Sequence, residues 1–98
     1  MDTRVALIGI IVEDPGAVDA LNGILHEYSA YIIGRMGIPY RQKHINVISI
    51  AVDAPQDCIS ALSGKIGRLH GVSTKTVVGL DEFVAKIEEE IKTKAKNR

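Results

Sequence analysis

Four kinds of residue in this 98-residue chain could do chemistry: three histidines, one cysteine, a basic segment punctuated by glycines, and an acidic turn. His26, His44 and His70 are far apart in sequence, and no two share the three- or four-residue spacing that puts ligands on one helix face. The periodicity places His26 on the outer side of a helix, His44 at the end of a hairpin connection and His70 at the end of a second helix. With one cysteine and no Cys pair, both a disulfide framework and a thiolate zinc site are excluded. Cys58 falls near a helix start, yet no His–Asp arrangement marks it as a nucleophile. No metal, no cofactor and no catalytic constellation are expected, so the chain does not read as an enzyme.

The glycine segment is Gly64-Lys65-Ile66-Gly67. Its spacing matches the loop with which KH domains clamp a nucleic-acid backbone. There the motif joins two helices, whereas here one apolar stripe runs through it from Ile59 to Leu69. It follows no strand and lacks the Gly-Lys-Ser/Thr ending of a phosphate loop. The structural reading is that Gly64 and Gly67 thin a helix where another backbone comes near, with Lys65 and Arg68 pointing to solvent. The acidic turn, Glu13-Asp14-Pro15-Gly16, is the better ligand candidate. It joins a strand to a helix N-terminus, where free N–H groups and the positive dipole end suit an anion or a carboxylate. The simpler alternative for the same turn is helix capping by Asp14.

The elements that position these groups follow from hydropathy patterning. Arg4–Val12 is a continuous, β-branched run of strand length. Asp14-Pro15 opens a helix to about Tyr28, with Val18, Leu21, Ile24, Leu25 and Tyr28 on one face. Ala30–Met36 reads as a strand, residues 37–44 as a polar connection and Ile45–Val52 as the next strand, paired antiparallel to it. Pro55 opens a second helix striped by Ile59, Leu62, Ile66 and Leu69, and Gly71 takes the place of a left-handed C-terminal cap. Val72–Val78 is the last strand. A third helix starts near Asp81, carries Phe83, Val84, Ile87 and Ile91 on one side, and grades from acidic to basic along its dipole, with frayed final residues.

The order β-α-β-β-α-β plus a helix is that of the α+β, ferredoxin-like (ACT-like) fold: a four-stranded antiparallel sheet with two helices on one face. The expected division is residues 1–79 for this domain and 80–98 for a helical extension. Zero net charge, from twelve acidic and twelve basic residues, argues against direct nucleic-acid binding. So does the lack of aromatics in VALIGIIV and INVISIAV, where RNA-recognition domains of this topology place stacking residues. The apolar run near the start is too short for a membrane span and lacks a cleavage site, so a cytoplasmic protein is expected.

The first and third strands are apolar on both sides. Val5, Leu7 and Ile11 oppose Ala6, Ile8, Ile10 and Val12; Ile45, Val47 and Ala51 oppose Ile48, Ile50 and Val52. Two helices cover only one side. The other must be covered by the third helix or by a second subunit, and one helix is too narrow for four strands. A homo-oligomer, dimer or tetramer, is expected, with the helix exchanged between subunits as one way to build it.

Two resemblances add to this reading. VEDPGAV resembles the Asp-x-Pro-Gly-x-Leu turn of ACT domains, with Glu13 in place of the aspartate, Val18 in place of the leucine, and Gly16 matching the glycine. That resemblance implies a small-molecule effector bound at Glu13, Asp14, Pro15 and Gly16, near a subunit interface. Between about Val5 and Val78, the segments IIVED, ILHEYSAYIIGRMGIPYR and above all ALSGKIGRLHGVSTKT are similar to the iron-only hydrogenase system regulator family, which is related in fold to the ligand-sensing domain of nickel-responsive repressors. This implies a regulatory or sensing role, in transcription and through a partner protein. No residue matches the repressors' nickel-binding pattern. The other functional class is an oligomerisation or partner-binding module without a ligand. An RNA-binding module using residues 64–67 ranks behind both.

Overall fold

The computed structural model describes residues 2–96, with the side chains of residues 80–85 and 95–96 outside that description, including those of Phe83 and Val84. The elements are β1 (Arg4–Val12), α1 (Val18–Glu27), β2 (Ile32–Tyr40), β3 (Ile45–Ala54), α2 (Gln56–Gly67), β4 (Val72–Val78) and α3 (Leu80–Lys96). Short 3-10 turns at Pro15–Ala17, Ser29–Tyr31 and Arg41–Lys43 lead into α1, β2 and β3. The strands form one antiparallel sheet in the order β2-β3-β1-β4. This is the α+β, ferredoxin-like fold that the element order predicts.

Register divides the two faces. Ala6, Ile8 and Ile10 of β1 stand opposite Val52, Ile50 and Ile48 of β3, and all six are buried with Leu21, Leu25, Ile59, Leu62 and Ile66 of the helices. Each large side chain fully withdrawn from water contributes about 1.5–3 kcal/mol, so this layer between sheet and helices holds the domain together. On the other face, Leu7 pairs with Ala51 and Val77, and Ile11 with Val47. There Leu7, Met36, Ile38, Val47 and Val77 remain exposed. The two-sided strands expected from sequence are present, and within one chain much of the second side stays open, although Val5, Ile11 and Ala51 are half-buried.

The differences from expectation that matter most lie in β2 and the second helix; β3 also runs to Ala54, and α1 starts at Val18 behind the 3-10 turn. β2 runs four residues further, through Gly37-Ile-Pro-Tyr40, and starts two residues later. Pro39 is tolerated because β2 is an edge strand, where a missing N–H breaks no ladder on the outer side. One extra residue between Ile32 and Gly34 makes a bulge, and the hairpin shrinks to Arg41–His44, closed by His44 in the left-handed region at φ 53°. The second helix stops at Gly67. Gly71 is left-handed as expected, at φ 74°, but it serves the turn into β4 rather than a helix cap.

Over residues 86–94 the third helix does not roof the sheet. It touches β1, yet residues 86–94 are all exposed. The molecule measures 53 × 39 × 17 Å with a radius of gyration of 16.1 Å, against about 13 Å for a compact chain of this length.

Candidate functional site

The turn after β1 is built around one carboxylate. Asp14 has extended backbone, and its side chain accepts a hydrogen bond from the Gly16 N–H at 2.9 Å. The Ala17 N–H donates to the Asp14 carbonyl at 3.0 Å, and the Val18 N–H donates to the Pro15 carbonyl. On the other side, the N–H groups of Glu13 and Asp14 donate to the Gly71 carbonyl, at 2.7 and 3.4 Å. Pro15 has no N–H. The free donors expected at Glu13 to Gly16 are therefore engaged within the chain, and Asp14 itself occupies the place of an anion. Glu13, Pro15 and Gly16 border solvent, with Asp14 half-buried.

Gly71 and Asp14 make this arrangement compact. A Cβ on Gly71 would stand 2.4 Å from the Asp14 Cβ. Gly16 is tight for the same reason, since its Cβ would meet the Asp14 carboxylate oxygen at 3.2 Å. The glycine of the turn thus makes room for the capping carboxylate.

Beside Pro15 the turn faces a groove of about 460 Å³ that sequence reasoning did not find. Its far wall is the β2–β3 hairpin, with Pro39, Tyr40, Arg41, His44, Ile45 and Asn46. An apolar floor with a guanidinium, an imidazole, an amide and a phenol at its rim is the usual make-up of a small-molecule site. The signal missed was the length of β2. With residues 37–44 read as a loose connection, nothing placed Tyr40, Arg41 and His44 opposite Pro15.

The other candidates separate. Among the described residues, no three His, Cys, Asp or Glu side chains stand close enough to hold a metal ion. His26 is exposed on α1, His44 closes the hairpin and His70 is exposed between α2 and β4. Gly64-Lys65-Ile66-Gly67 lies inside and at the end of one helix, so it is not a clamp between two. The close approach expected there exists only at Gly67, whose Cβ would meet the Thr74 methyl at 3.3 Å, a side chain and not a backbone. At Gly64 a Cβ would meet nothing nearer than the Arg68 guanidinium at 3.8 Å.

Lys65 is not a free surface charge. Its ammonium bonds Glu27 at 2.9 Å and lies 5.0 Å from the centre of the Tyr28 ring. The hydrogen bond to Glu27, and then that to Tyr28, raises its pKa. Cys58 is half-buried in the first turn of α2. Its thiol chiefly raises the pKa of Tyr31, through a hydrogen bond to the phenol.

The comparisons with known proteins agree with this anatomy. The TM1266-like model, described as "Iron-only hydrogenase system regulator, putative", matches residues 4–76. TM1266 from Thermotoga maritima is similar at 35% identity and TM-score 0.76, over 79% of this chain and 98% of that one. A formyltetrahydrofolate deformylase from Pseudomonas putida KT2440 shares the fold at 20% identity and TM-score 0.52, over 78% of this chain and 28% of that one. No curated protein matches the chain. No described helix is long and apolar enough to cross a membrane. Over residues 4–76, from β1 into β4, the chain belongs to the TM1266-like family of iron-only hydrogenase system regulators.

Proposed function

We propose that this protein is a cytoplasmic, non-enzymatic sensing domain that acts as a homo-oligomer in transcriptional regulation of the iron-only hydrogenase system. The family match over residues 4–76 carries this reading. A small-molecule effector lies in the groove between Pro15 and the β2–β3 hairpin. Because the N–H groups of Glu13 to Val18 are already engaged, the effector is held by Arg41, His44 and Asn46 and not by the turn's backbone. It acts by binding one packing of the oligomer more tightly than another. The neutral charge speaks for regulation through a partner protein.

Thermal unfolding with amino acids, nucleotides and divalent metals tests the effector. A true effector at about 100 times its Kd stabilises by about 2.7 kcal/mol, and Arg41→Ala removes that gain. The same satisfied turn favours a second reading, an oligomerisation module without a ligand; a flat midpoint with every class of compound would support it. Tight, sequence-selective gel shifts by the protein alone, at stated salt, would overturn the partner-protein step.

A further inference from the structure

The C-terminal helix has no counterpart in the relative of known structure. The family match ends at residue 76, and the TM1266 chain is covered over 98% of its length by only 79% of this one. α3 begins at Leu80, so its role has to come from this chain alone.

Three features of α3 and the sheet fit one another. Ile87 and Ile91, one turn apart on the same side of the helix, are 40% and 61% exposed. A single helix of 17 residues is marginal in water without a surface to pack on. The open face of the sheet offers such a surface: a shallow depression of about 300 Å³ at Gly9, walled by β1, β3 and β4. Among the described residues, Lys75 is the one cation this face carries, opposite Gly9. On α3, Glu88 and Glu90 flank the stripe of Ile87 and Ile91, with Lys92 and Lys94 one turn further along the same rows.

Among the described residues the depression is lined by the strands alone, while α3 reaches its own chain at β1. The junction between β4 and α3 is Gly79 alone, left-handed at φ 82°. A one-residue link starts the helix at the sheet's edge, and links this short favour exchange between copies. Area favours exchange in both directions. A helix about 26 Å long and about 10 Å wide covers about 250 Å² of a sheet. One arm therefore buries about 500 Å² in total, and two arms about 1,000 Å², the lower bound for a specific interface.

We infer that α3 is an exchange arm that docks on a second copy of this chain, its Ile87 and Ile91 over the Gly9 depression and its Glu90 beside Lys75. This rests on the homo-oligomer reading above and names the segment that builds it.

Sedimentation of the full chain tests it, alongside the Ile87→Glu/Ile91→Glu variant. The wild type sediments as a dimer, and the variant's dimer Kd rises about 100-fold or more with unchanged circular dichroism. In a Cys58→Ser background, mixing a Lys75→Cys chain with a Glu90→Cys chain gives a disulfide between the two under mild oxidation. A monomeric wild type would overturn both the arm and the homo-oligomer reading. A dimer that survives the double substitution, or cross-links found only between two Glu90→Cys chains, would overturn the arm alone.

Discussion

The contact between Asp14 and Gly71 fixes how the first βα turn meets the start of β4. Gly71→Ala forces a side chain into a left-handed residue and against the Asp14 Cβ at 2.4 Å. Since such backbone strain alone costs about 1–2 kcal/mol, chemical denaturation should show a loss of about 2 kcal/mol or more. Asp14→Ala removes only the capping bond to Gly16 and should cost about 1 kcal/mol. The glycines of α2 invert the usual expectation for a closely spaced helix pair. With the Gly64 Cβ position meeting nothing nearer than the Arg68 guanidinium at 3.8 Å, Gly64→Ala should stabilise by up to about 1 kcal/mol through helix propensity. Gly67→Ala should gain less, because the Thr74 methyl must give way. Equal gains at both positions in urea unfolding would contradict the contact seen at Gly67.

At the scale of elements, α1 and α2 are joined at their C-terminal ends by Lys65, Glu27 and the Tyr28 ring. Both partners of the ion pair are substantially exposed, so Lys65→Met should lower stability only slightly at neutral pH. The folded state raises the lysine pKa. Its contribution is thus complete below the ordinary value of 10.5 and fades as pH rises through the higher folded value. Thermal melts of wild type and Lys65→Met should differ at pH 8 and converge when pH passes well above 10.5. A gap that widens with pH would reverse the assigned sign. β2 is the other element that matters for function. Its extension to Tyr40 turns the hairpin into the far wall of the groove at Pro15.

For the molecule as a whole, the deciding feature is a sheet with one packed face and one largely open face. Leu7, Met36, Ile38, Val47 and Val77 cannot all be left in water without loss of solubility. If a second copy covers them, folding and association are linked by mass action. The thermal midpoint should then rise with protein concentration over about a hundred-fold range. A midpoint independent of concentration would mean that the open face has no such partner. Val77→Asp, on the bare side of β4, should abolish that dependence while leaving the helix-facing core intact.

Sequence by itself determined the topology, the buried stripes and the two-sided strands, because hydropathy at periods of 2 and 3.6 is a local record of which face each residue buries. Val72–Val78 and the left-handed Gly71 were legible for the same reason: strand alternation and positive φ are written in single residues. The length of β2 was not, since Gly37 and Pro39 look like a break until the strand is known to lie at an edge. Nor was the fate of the turn at Glu13 to Gly16. Whether its N–H groups await a ligand depends on the Gly71 carbonyl, some 57 residues away in the chain. Which glycine of α2 is crowded depends likewise on Thr74, on the helix-facing side of β4. Tertiary structure decided these because satisfaction and crowding are properties of neighbours brought together by folding, and no local pattern encodes them.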